Sequence, residues 1–120
     1  MPNNSCFVNI DLTPEYRRNL KDLAKKYRNI RSDTQSVIAE LQQGNLLGDR
    51  LAGFGSNLYI YKVRVRNSNI KKGKSAGYRL IYLLESETSI LLLTIYSKSE
   101  REDITVDEIE TILDSFYGDE

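Results

Sequence analysis

The chain has 120 residues, 17 Lys and Arg against 17 Asp and Glu, one cysteine and no histidine. A chain of that length suits one domain, 1–120, with a single core and no linker-like stretch or internal repeat dividing it. The missing histidine excludes imidazole acid–base catalysis and histidine metal ligation, while the lone Cys6 excludes a disulfide framework and fits a reducing, cytoplasmic setting. The formal charge of zero conceals a division. Residues 1–84 hold fifteen cations and six acids; residues 85–120 hold two cations and eleven acids. The first residues lack the basic flank and apolar stretch of a signal peptide, and no apolar run approaches a membrane span.

Residues 6–10, with Phe7, Val8 and Ile10, predict a short first strand. Thr13 before Pro14 predicts a helix start, with a hydroxyl cap and then proline where its missing N–H costs nothing. Tyr16, Leu20, Leu23, Ala24 and Tyr27 follow at helical spacing, with Arg17, Arg18, Lys21, Lys25 and Lys26 between them. This amphipathic helix should end near Asn29. Asp33 predicts the cap of a second helix carrying Val37, Ile38 and Leu41, and Gly44 its stop. The glycine-punctuated residues 45–57 read as a loop. Residues 58–66 alternate: Tyr59, Tyr61, Val63 and Val65 lie on one face, Ile60, Lys62, Arg64 and Arg66 on the other. A lysine-rich connection, 67–76, leads to strands at 77–84 and 90–96 that are apolar on both faces and therefore central. Thr105 and Glu108 have capping-box spacing ahead of the stripe Val106, Ile109, Ile112, Leu113 and Phe116. The order is β-α-α-β-β-β-α. It predicts an α+β domain with an antiparallel-rich twisted sheet of about four strands, two N-terminal helices and a C-terminal helix, the helices gathered on one face.

Residues 62–79 hold seven cations (Lys62, Arg64, Arg66, Lys71, Lys72, Lys74 and Arg79) and no acid. Alternation sets Lys62, Arg64 and Arg66 about 7 Å apart on one side of a strand, and Arg79 sits on the next strand, about 5 Å away. Cations this close repel unless an anion or solvent screens them. RNA phosphate is a natural anion, and the arginine fork matches its oxygens. A solvated edge strand kept soluble by charge accounts for the same composition. Tyr59, Tyr61, Tyr78, Tyr82 and Tyr96 offer base-stacking faces or, more simply, core rings with a hydroxyl at the rim. Lys98 follows the fourth strand, where a solvated strand-end lysine is the plainer reading. Glu100, Glu102 and Asp103 cluster beside Arg101 without forming a catalytic pair, and their spacing is not specific for a metal. No Gly-rich phosphate loop is present, so neither metal nor cofactor is expected.

Two ordered segments carry a family resemblance: Gly73-Lys74-Ser75-Ala76-Gly77-Tyr78-Arg79-Leu80-Ile81-Tyr82, and the run from Ile90 through Tyr96, Lys98, Glu100 and Asp103 to Ile104. With Tyr61-Lys62-Val63-Arg64-Val65 before them, they resemble the RelE/ParE superfamily of type II toxins, most of all its HigB-type branch, over residues 45–113. The resemblance implies a RelE-like fold and a toxin neutralised by a cognate antitoxin in a hetero-oligomer. It also implies a metal-independent, ribosome-dependent mRNA endonuclease. In that chemistry the ribose 2′-hydroxyl attacks the adjacent phosphate, giving a 2′,3′-cyclic phosphate and a 5′-hydroxyl. By position, Lys62, Arg64, Arg79 and Lys98 match the family's catalytic cations, while Arg66, Lys71, Lys72 and Lys74 would bind RNA. Ser99 and Thr105 stand where RelE itself has an arginine and a tyrosine, and Tyr96 where other branches have histidine. Proton transfer therefore falls to Tyr96 or to a lysine whose pKa the crowded cations lower. A ParE-like gyrase inhibitor without nuclease activity, or an inactive homologue retaining antitoxin binding, are the other readings.

Overall fold

The computed structural model describes residues 7–70 and 76–118. Its elements run β1 (Asn9–Leu12), α1 (Pro14–Lys26), α2 (Ile30–Gln42), β2 (Asp49–Arg50), β3 (Ile60–Val65), β4 (Tyr78–Ser86), β5 (Ser89–Ser97) and α3 (Val106–Tyr117). The five strands form one sheet in the order β1-β5-β4-β3-β2. β4 and β5 lie inside it, as their two-sided apolar character requires.

Local chemistry explains most boundaries. The Thr13 hydroxyl accepts from the Tyr16 amide (2.9 Å) and donates to the Leu93 carbonyl (2.7 Å). One side chain thus caps α1 and ties it to β5. α1 stops at Lys26, short of Asn29, because Tyr27 turns extended and its ring meets Tyr78 edge-on at 5.7 Å. α2 begins at Ile30, so Asp33 lies in its first turn and is not its cap. The Asp33 carboxylate instead accepts from the Ser68 amide and hydroxyl (2.9 and 3.1 Å), pinning the segment after β3. β3, β4 and β5 fall within two residues of the predicted strands.

Three further features depart from the expectations. β1 lies at Asn9–Leu12, displaced from the predicted 6–10, and pairs in parallel with β5; residue 6 is outside the described residues. The loop at 45–57 contains β2, which pairs with Tyr61 and Lys62 and raises the strand count to five. Gly48 makes that pairing feasible: its φ is +89°, and a Cβ there would lie 2.4 Å from the Lys62 carbonyl oxygen.

The third departure is that the helices do not gather on one face. Tyr16, Leu23, Ile30, Val37 and Leu41 of α1 and α2 pack on Val63, Val65, Leu80, Tyr82 and Leu92. Ile109 and Leu113 of α3 pack with Ile60, Ile81, Leu83 and Leu91 in a second core. Strands apolar on both sides need a layer on each. α3 supplies the second, held at its start by the Thr105–Glu108 capping box.

Candidate functional site

β3 buries Val63 and Val65 under α2 while Lys62 and Arg64 emerge on the α3 side. Register aligns the rest: Arg64 lies opposite Arg79, and Arg79 opposite Tyr96. Cross-strand partners share a face, so these three form one row over β3, β4 and β5. Lys62 stands one row along, opposite Ile81. The buried residues of α3 cover the apolar end of this face, from Ile60 and Leu83 to Ile81; the cationic row lies past it. Arg64 and Arg79 are like charges set directly opposite each other, an arrangement that by itself disfavours strand pairing.

Lys62, Arg64, Arg66, Arg79 and Lys98 line one open cleft of about 940 Å³, with Asp33 and Ser36 of α2 on its far wall. Arg64 and Arg66 are exposed. Arg79 is 6% exposed and its Nη1 donates to the Tyr78 carbonyl at 3.2 Å. Lys98 Nζ donates to the Glu102 carbonyl at 2.9 Å, with that residue's carboxylate at 3.5 Å. Lys71, Lys72 and Lys74 lie outside the described residues.

Gly77 sets how closely β4 meets β3 here. A Cβ at Gly77 would lie 2.1 Å from the Val65 carbonyl oxygen, and its own carbonyl accepts from the Lys98 amide at 2.9 Å. Two site residues, Arg79 and Lys98, are thereby positioned through one glycine.

From sequence, Asp103 is only one of a cluster of acids with no catalytic pairing. Lys62 Nζ and the Tyr96 hydroxyl both donate to its Oδ1, at 3.2 and 3.3 Å, and the Ile104 amide donates to the same oxygen at 2.8 Å. Arg101 lies over the Tyr96 ring at 5.4 Å and donates to the Asp103 carbonyl at 3.0 Å and to Glu108 at 2.6 Å. The Ile104 N–H, followed by Lys62, holds the Asp103 carboxyl below the usual carboxylate range. Burial, followed by the Asp103 charge, pushes the Tyr96 hydroxyl up to about 12 against the opposing pull of Arg79 and Arg101. At neutral pH Tyr96 is therefore a proton donor and Asp103 an acceptor. That opposes using Tyr96 as a base.

The tyrosines divide as their burial dictates. Tyr78 and Tyr82 are fully buried. Tyr61 stacks on Tyr82 at 5.2 Å on the α1–α2 side. Tyr59 is 42% exposed and lies under the Arg50 guanidinium, 4.2 Å from the ring centroid. Among the described residues no group of three acidic or cysteine side chains is placed to hold a metal ion. No helix among them is long and apolar enough to cross a membrane.

The model of the RelE toxin of the RelE/RelB toxin–antitoxin system matches residues 16–115. The chain belongs to the RelE toxin family. The fold agrees. A free-state structure of E. coli toxin RelE, a double arginine-to-alanine mutant, aligns with a TM-score of 0.53 at 15% identity, over 88% of this chain and 92% of that one. RelE membership explains why the ordered segments around Arg79 and Lys98 were recognisable without any single diagnostic motif. The contact from Asp103 to Lys62 was hidden because it joins a turn to a strand 41 residues away.

Proposed function

We propose that this RelE-family toxin is a metal-independent, ribosome-dependent mRNA endonuclease, of the HigB/RelE-like branch, that arrests translation in the cytoplasm. The supporting observation is the in-register row Arg64–Arg79–Tyr96 with Lys62 beside it, of which Lys62, Arg64 and Arg79 line one cleft. Such a surface can hold a bent ribonucleotide backbone so that the 2′-oxygen lies in line with the phosphorus–5′-oxygen bond. Arg79 is fixed by burial and by its bond to Tyr78, so little reorganisation accompanies charge build-up on the phosphorane. Arg64 and Lys62 add positive charge from the neighbouring strand, and Arg66, Lys71, Lys72, Lys74 and Lys98 extend the grip along the RNA. A cognate antitoxin, an acidic segment laid over the same cations, would hold the toxin in a hetero-oligomer.

The test is growth arrest on induction together with cleavage mapping on translating ribosomes. Lys62→Ala and Arg79→Ala should each relieve arrest while remaining folded. Cut messages should carry 2′,3′-cyclic phosphate and 5′-hydroxyl ends. Full toxicity in both variants would refute the site. Gyrase-dependent DNA damage in place of mRNA cleavage would select the ParE-like reading.

A further inference from the structure

We propose that Asp103 is the proton acceptor of the cleavage step, that Tyr96 is the donor, and that their hydrogen bond returns the proton between turnovers. This rests on the nuclease reading above. The observation is geometric: two groups that the reading requires, Lys62 and Tyr96, converge on one carboxylate oxygen. Those two donors and the Ile104 amide all address Oδ1. Among the described residues Oδ2 is left to receive a fourth proton, and the side chain is 61% exposed.

The step balances without water, metal or redox partner. The ribose 2′-hydroxyl gives its proton to Asp103 Oδ2 as the 2′-oxygen–phosphorus bond forms. The phosphorus–5′-oxygen bond breaks, and the departing oxygen takes the Tyr96 hydroxyl proton. The products are the cyclic phosphate and the 5′-hydroxyl. The enzyme is left with neutral Asp103 and a Tyr96 phenolate, already hydrogen-bond partners at 3.3 Å. Rotation of the Asp103 carboxyl brings its new proton to the Tyr96 oxygen, and transfer there restores both. The charged groups facing the pair act on both members: Lys62 from β3 and Arg101 from the same turn favour the Asp103 carboxylate, while Arg79 from β4 and Arg101 stabilise the Tyr96 phenolate and so ease its proton donation.

The same contact, if Asp103 only occupied the phosphate position, would make it a competing anion. The two roles predict opposite signs. Asp103→Asn removes a negative charge from a phosphate site, so a pure competitor would leave a faster enzyme. A proton acceptor would leave a slower one that still binds.

The experiment is single-turnover cleavage on ribosome complexes from about pH 6 to about pH 9, a range spanning the ordinary histidine and approaching the ordinary lysine values. Binding of a non-cleavable 2′-O-methyl message is measured in parallel. Wild type should be nearly flat with pH. Asp103→Asn should cleave about 10²- to 10⁴-fold more slowly, bind the 2′-O-methyl message as tightly or more tightly, and quicken about tenfold per pH unit as hydroxide takes over the acceptor role. Asp103→Glu, which keeps the carboxylate, should recover part of the rate. Asp103→Asn cleaving at the wild-type rate or faster overturns the proposal, as does a rate loss matched by an equal loss of binding. Wild type that cleaves nothing defeats the nuclease reading and this proposal with it. Wild type that cleaves, Arg79→Ala inactive and Asp103→Asn unimpaired would defeat the Asp103 role alone.

Discussion

The two faces of the sheet solve different problems with the same strands. Under α1 and α2 the sheet is sealed: Val63, Val65, Leu80, Tyr82 and Leu92 meet Tyr16, Ile30 and Leu41. On the opposite face α3 seals one end with Ile109 and Leu113, and the strands continue beyond it as Arg64, Arg79 and Tyr96. The sealed face supplies rigidity. The half-sealed one supplies a row of cations set on that frame. Position along the strand decides the role of each residue: Leu80 and Arg79 are neighbours, both largely buried, one serving each face.

That pair gives the strongest way to break the comparison. Leu80→Ala should cost about 2–5 kcal/mol of stability by opening a cavity in the sealed core, read as a lower urea midpoint, with cleavage per folded molecule unchanged. Arg79→Ala should do the reverse, losing about 10²- to 10³-fold in cleavage, the scale of one lost transition-state donor, while the midpoint moves far less. If the two effects fail to separate, the faces are not independent. Gly77→Ala lies at their junction. The added Cβ collides with the Val65 carbonyl, and overpacking of this kind costs about 1–3 kcal/mol; cleavage should fall as well, because Arg79 and Lys98 move with β4.

The smallest effect is electrostatic. The Asp103 carboxyl is held down in the folded protein by the Ile104 N–H and Lys62. Its contribution is therefore present above the ordinary aspartate value near 3.9 and disappears as pH falls through the lower folded value. Because the side chain is 61% exposed, the effect should stay within about 0–1 kcal/mol. The difference in urea midpoint between wild type and Asp103→Asn should be level near neutrality and shrink only in acid. A difference growing toward neutral pH would contradict this assignment.

How much was legible in the chain follows from how far each interaction reaches. Alternation alone placed Lys62 and Arg64 together opposite Val63 and Val65, and the Thr-x-x-Glu spacing placed the start of α3. These signals are local. The parallel pairing of β1 with β5, the two-residue β2 and the seat of α3 on the second face depend on contacts between distant segments. Asp33 looked like a helix cap because its side chain is suited to one, yet Ser68 from a later segment claims it. Asp103 looked like one more solvated acid because nothing near it in sequence reveals Lys62 and Tyr96.

The pairing of β1 with β5 carries a consequence for how the chain comes into being. Asn9 finds its place only beside Ser89, 80 residues later, and Arg79 reaches Tyr96 only once β5 has joined the sheet. Such long-range closure comes late in folding. A nascent copy, with its final strand still unmade, has a beginning without a berth and arginines without their tyrosine. On the reading proposed above, the molecule cannot cut until β5 has been made and has joined the sheet.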